Sequence, residues 1–391
     1  MKINRRNPLH WTWLALFSMN VALALLLRPF FRGRRQAVVL YGHKFSGNLR
    51  ALYSETQRSG GMAWHVTYLS LDVEYARSLK AQGVNVVSAI HPSAAVLLAQ
   101  ASAIVTDHGL HVMQPLLRWT DIHFFDVWHG IPFKGFDAED FKVQRRYDET
   151  WVASPLLAGL YVRKFGFDRS RVIVTGYART DRLVARTEDV VRLRERIGAP
   201  PSGPLILFAP TWVQDDKGRS LYPFGCSEGE FLQALCGVAS RYGGSVLTRS
   251  HLNSAAIGAG LPNVVAVPQS AFPDTEAILL VTDVLICDWS SIAFDYLVLE
   301  RPTLFLDVPA PFKKGFSLGP EYRFGPVVGS LDELIEHLDR TLAAPERYLA
   351  DNGARLRSAK AAIYGEHADG RSAQRCVERL VLKLVSGGSS R

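Results

Sequence analysis

The positive charge of this 391-residue chain is concentrated at its N-terminus. Residues 1–35 contain seven Lys and Arg and no Asp or Glu, and they account for all but one unit of the net charge of +8. The rest of the chain is nearly neutral, which argues against a nucleic-acid-binding domain, because such a domain needs a basic face. A hydrophobic content of 48% excludes long disorder, and the length suits two domains.

The first predicted element is an apolar helix over 11–27. These 17 residues carry no charge and reach the short limit for a membrane span. Trp11 and Trp13 suit a membrane interface. A cleaved signal peptide is the rival interpretation, but no small-x-small cleavage site follows. We therefore expect residues 1–35 to form an uncleaved anchor, spanning or lying in the interface, with membrane lipids as a partner.

After the anchor, short apolar runs alternate with helical stretches in two series. Continuous apolar strands of this kind predict parallel sheets covered on both faces. The strands are predicted at 37–41, 65–69, 85–90, 103–106, 124–128, 150–153 and 172–175, and then at 205–209, 245–248, 264–267, 284–287 and 303–306. The fold class is therefore α/β, with two Rossmann-like domains at 36–198 and 199–391 that face each other. A last helix near 368–384 is a candidate to return to the first domain.

No metal cluster is predicted. The cysteines are scattered without a C-x-x-C motif, as is usual in a reduced cytosolic protein; they are Cys226, Cys236, Cys287 and Cys376. Asp215 and Asp216 follow a predicted strand and could bind a metal. Their neighbours Lys217 and Gly218 favour a solvated turn instead.

The segment 283–306 predicts a buried strand, a tight turn at Asp288-Trp-Ser-Ser and a helix over 292–299. Unpaired N–H groups at a helix N-terminus attract an anion, as does the helix dipole. Ser290 or Ser291 is a suitable N-cap, and the two hydroxyls add donors. Taken alone, such a motif also fits an ordinary capped β-α-β unit.

Two histidines follow predicted strands. His129 lies five residues before Lys134 and suits a general base beside an anionic substrate, since histidine titrates near neutral pH. His251, together with Arg249, could contact a phosphate or protonate a leaving group. Taken alone, each motif also fits a structural loop.

Two further polar clusters close strands of the first series. Asp107 and His108 form a candidate element of an acceptor site, and a structural turn is an equally good interpretation. Arg179 and Asp181 are expected to pair with each other in a structural role.

Taken in order, these motifs resemble those of the CDP-glycerol glycerophosphotransferase family, which primes and polymerises teichoic acids and related phosphate-linked capsule polymers. The matching segments are WHGIPFKGFD (128–137), GYARTDRL (176–183), FAPTW (208–212), RSHLN (249–253), DVLICDWSSIAFDYLVLERPTLFL (283–306) and DGRSAQRCVERL (369–380). The resemblance therefore covers about 120 to 380, and the preceding residues match only in pattern.

The resemblance implies a GT-B architecture with the active site in the cleft and no metal or other cofactor. It implies that His129 is the base on the acceptor hydroxyl and that His251 contacts the donor pyrophosphate. The residues assigned to the donor are Asp288, Ser290, Ser291, Arg249, Thr211 and Trp289, and those assigned to the acceptor are Lys134, Asp107 and His108.

Four positions depart from the family pattern. Ala178 replaces Pro, Thr180 replaces Asn, Trp289 replaces Tyr, and Leu252 stands where Pro follows the histidine. These departures leave His129 and the paired serines intact. They make Trp289 the first candidate for donor specificity, because CDP-ribitol or another CDP-polyol fits the same motifs.

We therefore expect a transferase tethered to the cytoplasmic face of the cell membrane. It would move a polyol phosphate, in the first instance glycerol phosphate, from a CDP-alcohol to a lipid-linked or polymeric saccharide or polyol-phosphate acceptor and release CMP. One alternative is a GT-B glycosyltransferase or epimerase that uses a nucleotide sugar. Another is a non-catalytic capsule assembly factor.

Overall fold

The computed structural model describes residues 7–31, 36–58, 63–211, 222–249, 260–269 and 271–388. The residues form two compact units. The N-terminal unit comprises 1–129, 138–181 and 371–391, and the C-terminal unit comprises 130–137 and 182–370. Each unit is built on one parallel sheet, which confirms the predicted α/β fold class.

The strands and helices are named in chain order. The strands are β1 (Ala37–Tyr41), β2 (His65–Ser70), β3 (Val86–Ser88), β4 (Ala101–Thr106), β5 (His123–Asp126), β6 (Glu149–Val152), β7 (Val172–Val174), β8 (Leu205–Ala209), β9 (Ser245–Thr248), β10 (Val264–Ala266), β11 (Val284–Cys287), β12 (Thr303–Leu306) and β13 (Val327–Val328). The helices are α1 (Pro8–Leu27), α2 (Gly47–Arg58), α3 (Val73–Ala81), α4 (Ser93–Ala99), α5 (Gln114–Trp119), α6 (Pro155–Arg163), α7 (Asp181–Ala185), α8 (Val190–Arg196), α9 (Glu228–Arg241), α10 (Thr275–Val281), α11 (Ile292–Leu297), α12 (Leu331–Ala343), α13 (Pro345–Tyr364) and α14 (Ser372–Gly388).

The sheet of the N-terminal unit has the order β3-β2-β1-β4-β5-β6-β7. All five residues of β1 are buried, because helices cover both faces of the sheet and leave no face for polar side chains. The strand order reverses between β1 and β4, and the carboxyl ends of strands at such a reversal leave a crevice where ligands bind. The loops after β1, β4 and β5 therefore meet at one edge.

Helix α1 is packed against the N-terminal unit along one side. Phe17, Val21 and Ala24 lie in its hydrophobic core, and the buried Asn20 amide donates to the carbonyls of Ala89 and His91 at 2.9 and 3.0 Å. The helical stretch Pro8–Phe31 is also long and apolar enough to cross a membrane, a property that soluble core helices and signal sequences share.

The end of α1 is fixed by a buried charge. The Arg28 side chain pairs with Asp121, with Nε 2.8 Å from Oδ1, and donates to the carbonyls of Ala99 and Ala101. On the other side of the same helical stretch, Leu26 and Phe30 are 71% and 81% exposed. This stretch is thus docked on one side and apolar on the other.

Helix α14 follows the C-terminal unit in chain order but belongs to the N-terminal unit, where it packs against α2. Asp181 accepts hydrogen bonds from the backbone of Ser372 and Ala373 at its start. Arg379 forms a bidentate ion pair with the fully buried Glu149 of β6, at 2.5 to 2.9 Å. A buried carboxylate needs such a partner, so this pair fixes α14 to the sheet.

The sheet of the C-terminal unit has the order β10-β9-β8-β11-β12-β13, and its order reverses between β8 and β11. The segment 130–137 joins this unit. Phe133 packs on Phe294, with ring centroids 4.4 Å apart, and Lys134 forms an antiparallel bridge with Phe316. Because β8 and β11 are neighbouring strands, the loops that follow them are adjacent at the carboxyl edge of this sheet.

Several predicted bounds shift by one to four residues, and three differences from the sequence predictions have a physical reason. β5 ends at Asp126 instead of residue 128, because Trp128 takes a left-handed backbone with φ 42° and cannot continue a strand. α11 ends at Leu297, two residues short of the predicted end. β13 was not predicted, since a two-residue strand carries no periodic pattern.

Candidate functional site

The backbone that carries His129 is held from two sides within the N-terminal unit. The amide of Asn48, at the start of α2, donates to the carbonyls of Val127 and Trp128 at 2.8 Å each. Arg179 donates from Nη1 to the carbonyl of His129 at 2.9 Å. A bulky residue with positive φ, such as Trp128, is costly and persists only where its surroundings hold it, and these bonds supply that restraint.

The imidazole of His129 is oriented by the backbone of the neighbouring loop. Its Nδ1 lies 2.9 Å from the carbonyl oxygen of Asp107. A carbonyl oxygen can only accept, so Nδ1 carries the hydrogen and Nε2 keeps its lone pair. The residue is exposed, which leaves Nε2 suitable for accepting a proton from a bound hydroxyl.

The ring of His108 lies parallel to that of His129, with centroids 4.1 Å apart and an interplanar angle of 8°. Nδ1 of His108 is 2.6 Å from Oδ1 of the buried Asp107 carboxylate. Asp107 therefore positions both histidines, one through its side chain and the other through its backbone. The structure thus brings together three residues that the sequence singles out, namely Asp107, His108 and His129.

Two histidines that the sequence analysis did not single out extend this cluster. His43, after β1, lies 4.1 Å from His108 and 5.6 Å from His111, measured between ring centroids. Nδ1 of His111 is 2.7 Å from the hydroxyl of Tyr41. Burial is the main cause that lowers the pKa of His43 to about 2 and that of His111 to about 4, so both are neutral at pH 7.

A cavity of about 210 Å³ opens within this cluster. The residues that line it are His43, His108, Gly109, His111, Trp128, His129 and Gln144. In the described part of the chain, no group of three or more His, Cys, Asp or Glu has the arrangement of a metal site.

In the C-terminal unit, Asp288 ties the ends of β8 and β11 together. Its Oδ1 accepts from the backbone N and the hydroxyl of Thr211, at 2.8 and 2.5 Å, and from the backbone N of Trp289 at 2.6 Å. This oxygen thus organises the turn that presents Ser290 and Ser291.

Ser291 takes the N-cap position of α11, but its side chain makes no capping hydrogen bond. Gly130 lies against it, because a Cβ on Gly130 would sit 3.0 Å from the Ser291 hydroxyl oxygen. Helix α11 has six residues, so its dipole is small. The hydroxyls of the turn, more than the helix, are the groups available to an anion.

Trp289 is buried beneath this turn. Its indole Nε1 donates to the carbonyl of Val308 at 2.8 Å, and the guanidinium of Arg323 stacks on its ring at 4.3 Å from the centroid. Phe316 packs beside it with ring centroids 4.8 Å apart. The residue at the family's tyrosine position is therefore held on several sides.

The other predicted site residues are more dispersed. Arg249 is buried and donates to the carbonyls of Val267 and Phe272 and to the hydroxyl of Thr275. Lys134 lies in the C-terminal unit, with Nζ 5.2 Å from the ring centroid of Phe136. His251 lies outside the described residues.

Two parallel α/β units, each with polar side chains at the strand-order reversal, define a two-domain fold of the GT-B type. Comparison with protein families then identifies the particular group. The model of the CDP-Glycerol:Poly(glycerophosphate) glycerophosphotransferase family matches residues 28–382, and the chain belongs to this family. The predicted family and fold class are thus confirmed.

Curated relatives point in the same direction. The teichoic acid poly(glycerol phosphate) polymerase of Bacillus subtilis (strain 168) is 26% identical over 333 residues, which cover 78% of this chain and 43% of that protein. The teichoic acid ribitol-phosphate polymerase TarL of Staphylococcus aureus (strain NCTC 8325 / PS 47) is 27% identical over 274 residues, which cover 65% of this chain and 47% of that protein. The chain therefore spans less than half the length of these relatives.

A solved structure shares the fold. The structure of the wall teichoic acid polymerase TagF is similar with a TM-score of 0.74, at 18% identity, and the likeness covers 94% of this chain and 93% of that chain. At this level of identity the likeness shows the fold alone.

Proposed function

We propose that this chain transfers a polyol phosphate, in the first instance glycerol phosphate, from a CDP-alcohol to an acceptor hydroxyl. The acceptor oxygen attacks the β-phosphorus, the bond from that phosphorus to the bridging oxygen breaks, and CMP leaves. The observation that carries the proposal is the His129 imidazole, whose Nδ1 is bonded to a carbonyl while its side chain is exposed, in a member of this family.

His129 is the general base in this proposal. Its Nε2 takes the proton of the acceptor hydroxyl as the new oxygen–phosphorus bond forms. The carbonyl of Asp107 keeps the hydrogen on Nδ1 throughout, and its carboxylate holds the neighbouring ring of His108. Asp107 and His108 are thus assigned to holding the base and to the acceptor side, together with Lys134.

The donor is assigned to the C-terminal unit. Ser290 and Ser291 offer hydroxyls to its phosphates, and Asp288 with Thr211 fixes the turn that presents them. His251 and Arg249 are also assigned to the donor, and His251 is assigned to its pyrophosphate. Trp289 is buried beside the turn. We therefore assign it an indirect influence on donor choice, through its packing against the turn.

The proposed location is the cytoplasmic face of the membrane, where the nucleotide donor is available. We assign α1 to the interface of one leaflet and not to a span, because Asn20 and Arg28 fix it to the folded unit. A stripe spaced as one helical face remains for lipid contact; it consists of Met19, Leu23, Leu26 and Phe30. The acceptor in this proposal is a lipid-linked or polymeric saccharide or polyol phosphate.

The test is CMP release by the purified chain, supplied with membrane acceptor and, in turn, with CDP-glycerol, CDP-ribitol and UDP-N-acetylglucosamine. We expect CMP from one of the CDP-alcohols and no turnover with the UDP-sugar. His129→Ala should reduce CMP release at least a thousandfold, whereas His65→Ala, at an exposed histidine, should not. Turnover of the UDP-sugar alone, or an active His129→Ala variant, would refute the proposal.

A further inference from the structure

A second cavity, of about 240 Å³, lies between α12 and α13 within the C-terminal unit. Tyr348, in its lining, is bonded through its hydroxyl to the backbone N and the carbonyl of Thr303, the first residue of β12. Pro326, which also lines it, directly precedes β13. The cavity therefore lies at the amino edge of this parallel sheet, whereas Asp288 and the paired serines follow β11 at the carboxyl edge.

Two arginines and a histidine line this cavity. His337 and Arg340 lie three residues apart on α12 and so share one face of that helix, and Arg347 lies in the first turn of α13. The Arg347 side chain has no hydrogen bond or ion pair with any other described residue. Arg340 has one ion pair, with Glu336 at 3.4 Å, in which both side chains are more than half exposed. Since exposed pairs are weak, both guanidinium groups remain available to an anion.

The net charge of the lining favours a phosphodiester. Among the described residues that line the cavity, the charged ones are Arg340, Arg347 and Asp351, so the lining carries one net positive charge while His337 is neutral. A phosphomonoester carries about −1.5 to −2 near pH 7, whereas each phosphate of a diester chain carries a single negative charge. Arginine suits such a group, because its planar fork donates two parallel N–H bonds to phosphate oxygens.

Two acceptors in the same lining suit the hydroxyls beside such a phosphate. The carboxylate of Asp351 has no hydrogen bond or ion pair within the described part of the chain, and a carboxylate pairs with hydroxyl donors. The amide of Asn352 donates to the carbonyl of Tyr348 at 3.1 Å, which leaves its oxygen to accept. Arg347 and Asp351 are exposed, so a chain bound here by one unit can continue into solvent.

The size of the cavity agrees with this ligand. Its volume corresponds to about eight water molecules at ~30 Å³ each. That is room for one phosphate with its neighbouring polyol carbons and too little for a nucleotide. A nucleotide donor is therefore assigned to the other edge of the sheet only.

We infer that this cavity binds one phosphodiester unit of a polyol-phosphate chain, with the phosphate on Arg340 and Arg347 and the adjacent hydroxyls on Asp351 and Asn352. The inference rests on the proposed function, whose product extends such a chain. It gives the C-terminal unit a hold on chain that has already been made. A chain held in this way stays at a high local concentration after each transfer, so the next unit is added to the same chain.

The test is an NMR titration of the full chain labelled with ¹³C-histidine, with the ring of His337 as the local reporter. The His337→Gln variant identifies its signal. The probe is glycerophosphoglycerol, which is two glycerols joined by one phosphodiester. We expect it to shift the His337 signal along a saturable curve, sn-glycerol 3-phosphate to bind less tightly, and glycerol to have no effect. No shift with the diester, or tighter binding of the monoester, would overturn the inference.

Two double variants make the titration specific. Arg340→Gln with Arg347→Gln removes both guanidinium groups from the cavity at exposed positions, and we expect the affinity for the diester to fall at least tenfold. Arg192→Gln with Arg357→Gln removes the same charge at exposed arginines outside the lining and should leave the affinity within about twofold. Equal losses in the two double variants would show an effect of overall charge and overturn the site.

The same diester also occurs in the headgroup of phosphatidylglycerol. Flotation with phosphatidylglycerol vesicles distinguishes this source, and we expect both double variants to float equally. Flotation lost only by the Arg340 and Arg347 double variant would assign the cavity to a lipid headgroup and overturn its assignment to a chain.

Product length separates this inference from the proposed function. With CDP-glycerol and membrane acceptor, the Arg340 and Arg347 double variant should release CMP at the wild-type initial rate but make shorter chains, as measured by gel electrophoresis. Chains of wild-type length, or CMP release by a wild-type protein whose His337 signal does not respond to the diester, would remove the inference and leave the proposed function standing. A His337 response without CMP release from any CDP-alcohol would remove the proposed function and leave a polyol-phosphate site.

Discussion

The rings of His108 and His129 are stacked 4.1 Å apart and 8° from parallel, and both histidines are bonded to Asp107. This arrangement restricts the rotation of the proposed base and fixes which of its nitrogens can accept a proton. Positioning of this kind is a large part of what an active site contributes to rate.

Replacing His108 should therefore affect turnover more than donor binding. His108→Phe keeps a ring against His129 but loses the bond to the Asp107 carboxylate, and we expect kcat to fall about tenfold, or ~1.4 kcal/mol. His108→Ala also loses the stack and should fall further. The half-saturating concentration of CDP-glycerol should stay within about twofold of wild type. A rise in that concentration with unchanged kcat would contradict a positioning role.

Asn48 connects three backbone segments around the candidate site. Besides its two bonds to the loop after β5, its Oδ1 accepts from the backbone N of Arg179 at 3.0 Å. Asn48→Ala leaves buried polar groups without these partners, so we expect urea unfolding to show a loss of about 2–3 kcal/mol. Asn352→Ala, which removes one part-buried bond to Tyr348, is the matched control and should cost less than about 1 kcal/mol.

The ion pair between Arg379 and Glu149 should matter for stability. Arg379→Met leaves the buried Glu149 carboxylate with Lys383 at 3.2 Å and the indole of Trp151. Breaking a buried pair from one side typically costs about 3 kcal/mol or more. We expect a loss near that size by urea unfolding, and a smaller one when Glu149→Gln is combined with Arg379→Met. Equal losses for the single and double variants would show that the uncompensated charge is not the cause.

Stability should fall in mild acid because of the buried histidines. Burial holds the pKa of His43 at about 2 and that of His111 at about 4, below the ordinary value of 6.5. The unfolded chain therefore binds more protons than the folded chain below pH 6.5, so this stability is complete above pH 6.5 and is lost as the pH falls.

Between pH 6.5 and 4 each of these histidines lowers the free energy of unfolding by up to about 1.4 kcal/mol per pH unit. Urea unfolding at pH 7, 6 and 5 measures the slope. The double variant His43→Phe, His111→Phe should show a shallower slope, and an unchanged slope would assign the acid sensitivity to other groups.

The proposed interfacial position of α1 predicts which residues the protein needs to bind a membrane and which treatment should extract it. Replacing Leu26 and Phe30 by Glu should abolish flotation with vesicles of phosphatidylglycerol and phosphatidylethanolamine, because these two side chains are highly exposed. Alkaline carbonate should extract the wild-type chain. Resistance to carbonate would indicate a spanning helix, and unchanged flotation of the variant would place the lipid contact elsewhere.

The pattern of apolar residues along the chain was sufficient to predict most of the strands. Buried parallel strands are continuous apolar runs, and the bounds of β1, β8, β9, β11 and β12 agree with the prediction. The end of β5 was predicted two residues too late, because the positive φ of Trp128 depends on bonds from the distant residues Asn48 and Arg179. Sequence spacing alone does not reveal such restraints.

The candidate site was predictable in part for the same reason. His129 and Asp288 follow strands in recognisable motifs. Asp288 lies at the strand-order reversal of its sheet, and His129 follows β5, the strand next to the reversal between β1 and β4. His43 and His111 lie outside those motifs, and they join the cluster only because β1 is placed beside β4, which is a long-range property of the sheet. The bond from His129 to the backbone of Asp107 involves no side chain of that residue, so residue types could not indicate it.

The position of α14 has a consequence for synthesis on the ribosome. Glu149 is synthesised long before Arg379. The carboxylate of Glu149 therefore lacks its guanidinium partner while residues 182–370 are translated. That intervening stretch supplies nearly all of the C-terminal unit, which can therefore complete its sheet first. The N-terminal unit thus acquires helix α14 only after nearly all of the C-terminal unit has been synthesised.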